Sequence, residues 1–239
     1  MAQGEMARFG KVFLRFSEKM AVRFSHVVIS DNDAIAEYVM QAYGLDSHVI
    51  AYGGDHAMAV EAIAMDEYDL PQRYAFSVCR IEPENNVHVI LEAFSKLDDY
   101  PLVMVGNWNY SEYGQRLRDR YADFKHIFLL GPVYDPGKLK MLRSRAFIYV
   151  HGHSAGGTNP SLVEAMHFGT MILAFDCKYN RSTTENKALF FNDGAELRGL
   201  VESIGLSAPE KIGQDMFDIA QRRYTWNIVA RQYFVLMGA

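Results

Sequence analysis

Short, unbroken apolar runs alternate with stretches of helical periodicity from Tyr74 to the end of the chain. The runs are 74–78, 101–105, 127–130, 146–150, 171–175 and 188–191, each bounded by polar or turn-forming residues. Between and after them, apolar positions recur at the spacing of one helix face over about 86–97, 112–121, 136–144, 160–168, 194–204, 209–222 and 225–237. Continuous apolar strands interleaved with amphipathic helices imply a parallel sheet covered on both faces. Right-handed crossovers bring every strand's C-terminal end to one edge, and ligands of such sheets bind there, where the strand order reverses. The expected fold is α/β, a Rossmann-like parallel sheet with helices on both faces. Chemistry is to be sought in the loops that follow the strands.

Ahead of this sheet the pattern is less regular. Residues 1–24 place Phe9, Val12, Phe13, Phe16 and Met20 at helical spacing, among Arg8, Lys11, Arg15, Lys19 and Arg23. One face is therefore apolar and another basic. Such a helix packs on a core, or it rests on an anionic membrane or a neighbouring domain. A short strand at 25–30 leads to Asp31-Asn32-Asp33, cap residues for a helix over 34–43 that Gly44 closes. A second short strand at 49–52 ends in Gly53-Gly54-Asp55, and residues 56–72 read as helical and then polar, in the manner of a hinge.

Three loops carry candidate chemistry. The segment from His151 to Met166, His-Gly-His-Ser-Ala-Gly-Gly-Thr-Asn-Pro-Ser-Leu-Val-Glu-Ala-Met, follows a strand and enters a helix. Asn159 suits the N-cap and Pro160 the first helical position. Gly156-Gly157 lets the backbone turn tightly beside a ligand, and exposed N–H groups at the helix N-terminus suit phosphate. Glu164 lies five residues past the cap, roughly 7.5 Å along the axis, a separation that suits a carboxylate on a ribose diol. The alternative is an ordinary capped helix with Glu164 in a salt bridge. In the second loop, Arg80 ends a strand, where it could neutralise a leaving diphosphate or remain a surface cation. The third, Gly106-Asn107-Trp108-Asn109-Tyr110, offers aromatic rings to a sugar or base, although such rings are also frequent in cores.

Composition narrows the class. The net charge of −5 among 239 residues argues against a general nucleic-acid binder, which needs excess cations. The charge is uneven: residues 1–24 carry an excess of three positive charges and the remainder −8. Two cysteines, Cys79 and Cys177, are too few for a disulfide framework, which points to a reducing cytoplasm. No secretory leader opens the sequence, and no apolar run approaches the roughly 18 residues of a membrane span. His151 and His153 lack supporting metal ligands at suitable spacing, so no metal site is expected. No Gly-x-Gly-x-x-Gly follows any strand, which counts against a nicotinamide dinucleotide site. No cofactor is therefore expected.

Together these segments resemble the nucleotide-sugar-binding, C-terminal half of GT-B glycosyltransferases, in the retaining glycosyltransferase family 4. The resemblance is carried by Cys79-Arg80-Ile81 with Glu82-Pro83-Glu84-Asn85-Asn86, by Ile127–Val133, by Glu164-Ala165-Met166 and by Tyr224-Thr225-Trp226. The segments Val28-Ile29-Ser30 and Ile50–Asp55 resemble the end of the acceptor domain and the interdomain crossing. Within the family, Arg80–Asn86 and His151–Ser161 are similar to bacterial rhamnosyltransferase-like proteins of surface-polysaccharide synthesis. Two positions depart from the family pattern. Its first loop glutamate falls at Gly156, and its diphosphate-binding lysine falls at Asn85; Lys178 or Arg181 could supply the missing charge.

The resemblance implies transfer of a sugar from a nucleoside diphosphate donor to a hydroxyl, with retained anomeric configuration. It places Arg80 and His151 in catalytic roles and Gly106, Asn107, Gly131, Val133, Gly156, Gly157, Thr158, Asn159 and Glu164 at the donor. The implied partners are the nucleoside diphosphate sugar and a saccharide or lipid-linked saccharide acceptor. Peripheral membrane contact through residues 8–24 would place the chain at the inner face of the membrane. A binding module without transferase activity of its own is the competing reading. The expected division is an acceptor-domain remnant at 1–55, the donor domain at 56–222 and a helix at 223–239 returning toward the acceptor domain. A two-domain enzyme of about 150 residues per domain would need over a hundred more before Met1, so truncation is expected.

Overall fold

The computed structural model describes residues 2–204 and 210–238, with side chains omitted for residues 2–9 and Lys11. Its centre is a six-stranded, wholly parallel sheet in the order β5-β4-β3-β6-β7-β8. The strands are β3 (Tyr74–Val78), β4 (Leu102–Val105), β5 (Ile127–Leu130), β6 (Ala146–His151), β7 (Met171–Phe175) and β8 (Leu189–Phe191). Their side chains alternate between two cores. Ala75, Leu102, Met104, Ile148, Val150, Met171 and Leu173 face one side. Tyr74, Phe76, Val103, Val105, Tyr149, Ile172 and Ala174 face the other. This is the period of two that a pleated strand imposes, and both sets are fully buried because helices cover both faces.

The first core is closed by α3 (Val87–Phe94), α4 (Glu112–Tyr121) and α8 (Gly194–Ile204). The second is closed by α5 (Pro136–Ser144), α6 (Pro160–Met166) and α9 (Glu210–Arg223). Polar side chains set where these helices begin. Ser111 accepts from the Gly114 N–H, Asp135 from Gly137 and Lys138, and Asn159 from Ser161, satisfying donors that a first turn leaves free. The expected start of α9 at residue 209 lies outside the described residues.

The N-terminal segment forms a small satellite. Its strands β1 (Ile29–Ser30) and β2 (His48–Val49) pair in parallel and are shorter than the expected 25–30 and 49–52. Between them, α2 (Asp33–Tyr43) is capped by Asn32 as expected. One buried amide makes several of the contacts that tie the satellite to the sheet domain. Asn32 Nδ2 donates to Thr158 Oγ1, to the Tyr179 carbonyl and to Thr183 Oγ1 at 3.2–3.3 Å. Tyr179 and Thr183 belong to α7 (Lys178–Thr183), a helix where the sequence pattern predicts a loop. Residues 55–58 form one 3₁₀ turn; from there to β3 the chain has no regular element, so the helix expected at the start of 56–72 does not extend beyond that single turn.

At the N-terminus, α1 (Ala2–Phe24) is helical as expected, but most of its apolar stripe, among the described side chains, is not buried. Val12, Phe13, Leu14 and Phe16 are each 60% exposed or more, so packing on the core is ruled out for these positions. The last helix, α10 (Trp226–Met237), follows α9 and leaves Phe234, Val235 and Met237 exposed.

Candidate functional site

The strand order reverses between β3 and β6: the chain proceeds from β3 to β4 on one side, and β6 lies on the other. The loops leaving these two strands are stitched together. Asn86 Nδ2 donates to the Gly152 carbonyl at 2.9 Å, and the Ser154 N–H and hydroxyl both donate to the Glu84 carbonyl. Asn85, buried, donates to the Arg80 carbonyl and receives His153 Nδ1 at 2.7 Å. This explains the departure at position 85. The side chain there is enclosed between two loops, where an asparagine finds partners and a lysine ammonium would be desolvated.

Beside this seam opens a cavity of about 420 Å³, lined by the ends of β3, β4 and β5. Arg80, Gly106, Asn107, Tyr110, Val133 and Tyr134 all line it. Arg80 is 72% exposed and pairs with Glu82 at 3.2 Å and Glu84 at 3.9 Å. Gly131 lies at the adjoining surface with Val133 and Tyr134. For Trp108 the structure decides in favour of the core. Its ring is sealed in the core with Nε1 donating to the Leu130 carbonyl at 2.8 Å, so Tyr110 is the aromatic residue of that loop that faces the cavity.

On the other side of the seam, Gly156 adopts φ +92°, a left-handed conformation that a glutamate would enter only under strain. The Asp31 carboxylate lies against Gly157, and the Thr158 hydroxyl donates to the Asp31 carbonyl at 2.6 Å. Burial pushes the Asp31 carboxyl above its ordinary range, against the hydrogen bonds from the Thr158 N–H and the Tyr52 hydroxyl. A carboxylate thus stands beside the glycine turn after all, supplied from β1. Thr158 lies 127 residues away in sequence, so no local pattern marks this contact; a lone Asp at the end of a short strand is the available signal.

Glu164 realises the salt-bridge alternative. Oε2 pairs with the buried Arg143, and Oε1 with His56 Nε2 at 3.1 Å. An ionised carboxylate offers about four lone-pair sites, so both oxygens retain acceptor capacity. Neither Arg143 nor His56 was anticipated. Lys178 and Arg181 are engaged elsewhere: Lys178 lies over the Tyr179 ring, and Arg181 is forked on Asp176 and stacked on Phe190.

His151 ends β6 on the side of Tyr149, stacked on its ring, 3% exposed and with Nε2 lacking a partner among the described residues. Burial holds its pKa down to about 3, with His153 adding to the effect. Unfolded, the imidazole titrates near 6.5. Between those values the unfolded chain binds the proton and the native one does not, so stability falls as pH drops below 6.5 and levels off near 3. Urea unfolding at pH 7 and pH 5 checks this. The native chain should lose about 2 kcal/mol more than His151→Asn, and equal losses would remove the buried neutral imidazole from the account. Burial likewise pushes the Cys79 thiol up to about 12 and raises Cys177, so neither is a ready thiolate. Among the described residues no cluster of three or more His, Cys, Asp and Glu could hold a metal ion. Nor is any helix there long and apolar enough to cross a membrane.

Residues 63–204 match the family described as Glycosyl transferases group 1, and residues 4–55 match a domain of unknown function, DUF1972. The chain is 28% identical over 216 residues to phosphatidyl-myo-inositol mannosyltransferase of Mycolicibacterium smegmatis, covering 85% of this chain and 55% of that protein. The Mycobacterium tuberculosis protein of the same name is 28% identical over 220 residues, covering 85% of this chain and 57% of its own length. The chain thus spans a little over half the length of these relatives. Among solved structures, Anabaena Alr3699/HepE in complex with UDP-glucose superposes with a TM-score of 0.78 at 19% identity, over 98% of this chain and 69% of that one. A glycosyltransferase from Rickettsia africae gives 0.76 at 16%, over 88% and 62%.

Proposed function

The chain belongs to the Glycosyl transferases group 1 family, and on that premise we propose that it holds a nucleoside diphosphate sugar at the β3–β6 switch point for transfer to a hydroxyl acceptor with retained configuration. Its sheet is that of the C-terminal half of a GT-B fold. The observation that carries the reading is the 420 Å³ cavity opening beside Arg80 at the edge where such sheets take ligands. The base enters between Tyr110 and the loop at Val133 and Tyr134, over Gly106 and Asn107. The exposed Arg80 guanidinium faces the diphosphate and stabilises the charge that develops as it leaves. The backbone at Gly156, Gly157 and Asn159 supplies further donors, the Thr158 N–H being held by Asp31; Glu164 takes the ribose diol, and His151, buried at the end of β6, backs the donor-sugar side of the site. That an Anabaena homologue of the same fold was solved with UDP-glucose supports the donor class.

The same proposal divides the chain at about residues 55 and 222, with the flanking pieces belonging to an acceptor-binding half. The acceptor is a saccharide or lipid-linked saccharide. The exposed stripe at Val12, Phe13 and Phe16, beside Arg15, Lys19 and Arg23, suits the surface of an anionic membrane. Family 4 membership rests on the four segments that carry the resemblance, and a rhamnosyltransferase-like role in surface-polysaccharide synthesis on the wording of two loops; the two curated relatives described above are mannosyltransferases.

A thermal-shift panel of UDP, GDP and ADP against NAD tests the donor class. A ligand of the native state at a hundred times its Kd adds about 2.7 kcal/mol of stability. At least one nucleoside diphosphate should raise the melting temperature while NAD does not. A response to NAD alone would overturn the reading. Transfer of sugar by this chain alone separates a transferase from a module that only binds.

A further inference from the structure

We propose that His56 is a positioning residue that holds the Glu164 carboxylate open for the ribose diol, so that recognition of the ribose is governed from the segment joining the satellite to the sheet domain. This rests on the reading of Glu164 as the ribose ligand. The chain of contacts fixes the proton on His56. Trp226 Nε1 is a donor only, and it meets His56 Nδ1 at 3.1 Å. His56 must therefore accept at Nδ1, and as a neutral ring it carries its hydrogen on Nε2, which reaches Glu164 Oε1 at 3.1 Å. The neighbouring Asp55 accepts from the Trp226 N–H at 2.8 Å, and the Gly54 N–H donates to the Tyr224 carbonyl at 2.7 Å. The approach is close enough that a Cβ on Gly53 would meet the Trp226 ring at 2.6 Å, and one on Gly54 would meet the Glu164 nitrogen at 2.8 Å. His56 is thus delivered to Glu164 by backbone packing on both sides.

The second observation is on Arg143. This guanidinium is 5% exposed and pairs with Glu164 through Nη2 alone. Its Nε is buried without a hydrogen-bond partner among the described residues. An Arg–carboxylate pair left to itself favours two parallel bonds, and a buried unsatisfied donor is costly. The fork stays incomplete because His56 holds Oε1 to its own side. Without that hold, Oε1 is free to turn onto the Arg143 Nε, and the carboxylate would present a different edge to the ligand.

The test uses the 239-residue chain and compares Kd values for UDP and GDP with those for their 2′,3′-dideoxy counterparts. The native chain should prefer the diol, and Glu164→Ala should abolish the preference. His56→Ala should cut it about tenfold, the worth of one charge-assisted hydrogen bond, with dideoxy affinity unchanged. His56→Gln, which can donate to Glu164, should restore most of it. Trp226→Phe removes the indole N–H that sets the tautomer and should lower the preference by a smaller factor, a readout independent of whether His56→Ala folds. A native chain indifferent to the diol overturns the Glu164 assignment and this inference with it. A preference lost in Glu164→Ala but intact in His56→Ala and Trp226→Phe overturns this inference alone.

Discussion

Replacing Arg143 with methionine is expected to lower the stability of the chain by about 3 kcal/mol, near the lower end of what breaking a buried ion pair costs. Arg143 sits in α5 at 5% exposure, and its partner Glu164 sits in α6 with the carboxylate side chain 17% exposed. Methionine fills much of the volume, so the cost is electrostatic: a half-enclosed carboxylate keeps only the His56 contact. The same physics predicts a recovery. The double variant Arg143→Met with Glu164→Leu removes both charges and should regain most of the loss, because well-packed apolar replacements of buried pairs are often neutral. Urea unfolding of the two variants beside the native chain decides it. A loss below about 1 kcal/mol in the single variant would show that the pair behaves as a surface contact.

Glu164→Ala is expected to weaken nucleoside diphosphate binding about tenfold or more, and Arg80→Ala to do so by a similar factor, each removing one charge-assisted interaction. The two act at different points. Glu164 stands behind the seam, held by Arg143 and His56, and its loss also strands the Arg143 charge. Glu164→Gln separates these effects, since the amide oxygen can still accept from Arg143 while the charge is gone. Arg80 is largely exposed, and its pairs with Glu82 and Glu84 are surface pairs. Removing it should therefore cost little stability, and a fall in affinity there reports on the diphosphate rather than on folding.

What the sequence revealed and what it concealed follow from the range of the interactions. The strands β3, β5 and β7 and the helices α4, α5 and α8 lie where periodicity placed them, because each is specified by its own apolar spacing and the helices also by their own caps. Helix α7 was missed because Lys-Tyr-Asn-Arg-Ser-Thr has no apolar face. It is held from outside, by Asn32 on the Tyr179 carbonyl and Thr183 and by Asn180 on the carbonyls of His153 and Phe175. The glycines at 156 and 157 were legible as a turn; the Asp31 carboxylate beside them was not. Glu164 was legible as a carboxylate one turn into a helix, but its salt bridge could not be resolved into Arg143 and His56, which come from two other segments. The stripe on α1 was legible as amphipathic, and only the structure shows that Val12, Phe13, Leu14 and Phe16 face outward. Trp108 was legible only as an alternative between ligand contact and core. An aromatic residue in a ligand-side loop turned inward because its indole N–H found the Leu130 carbonyl.

The most direct test of the donor-binding claim is a calorimetric titration with the nucleoside diphosphate that stabilises the chain most, run in parallel on the native protein, Arg80→Ala and Glu164→Ala. The account predicts one site on the native chain and an affinity about tenfold or more weaker in each variant. The same affinity in all three would contradict it.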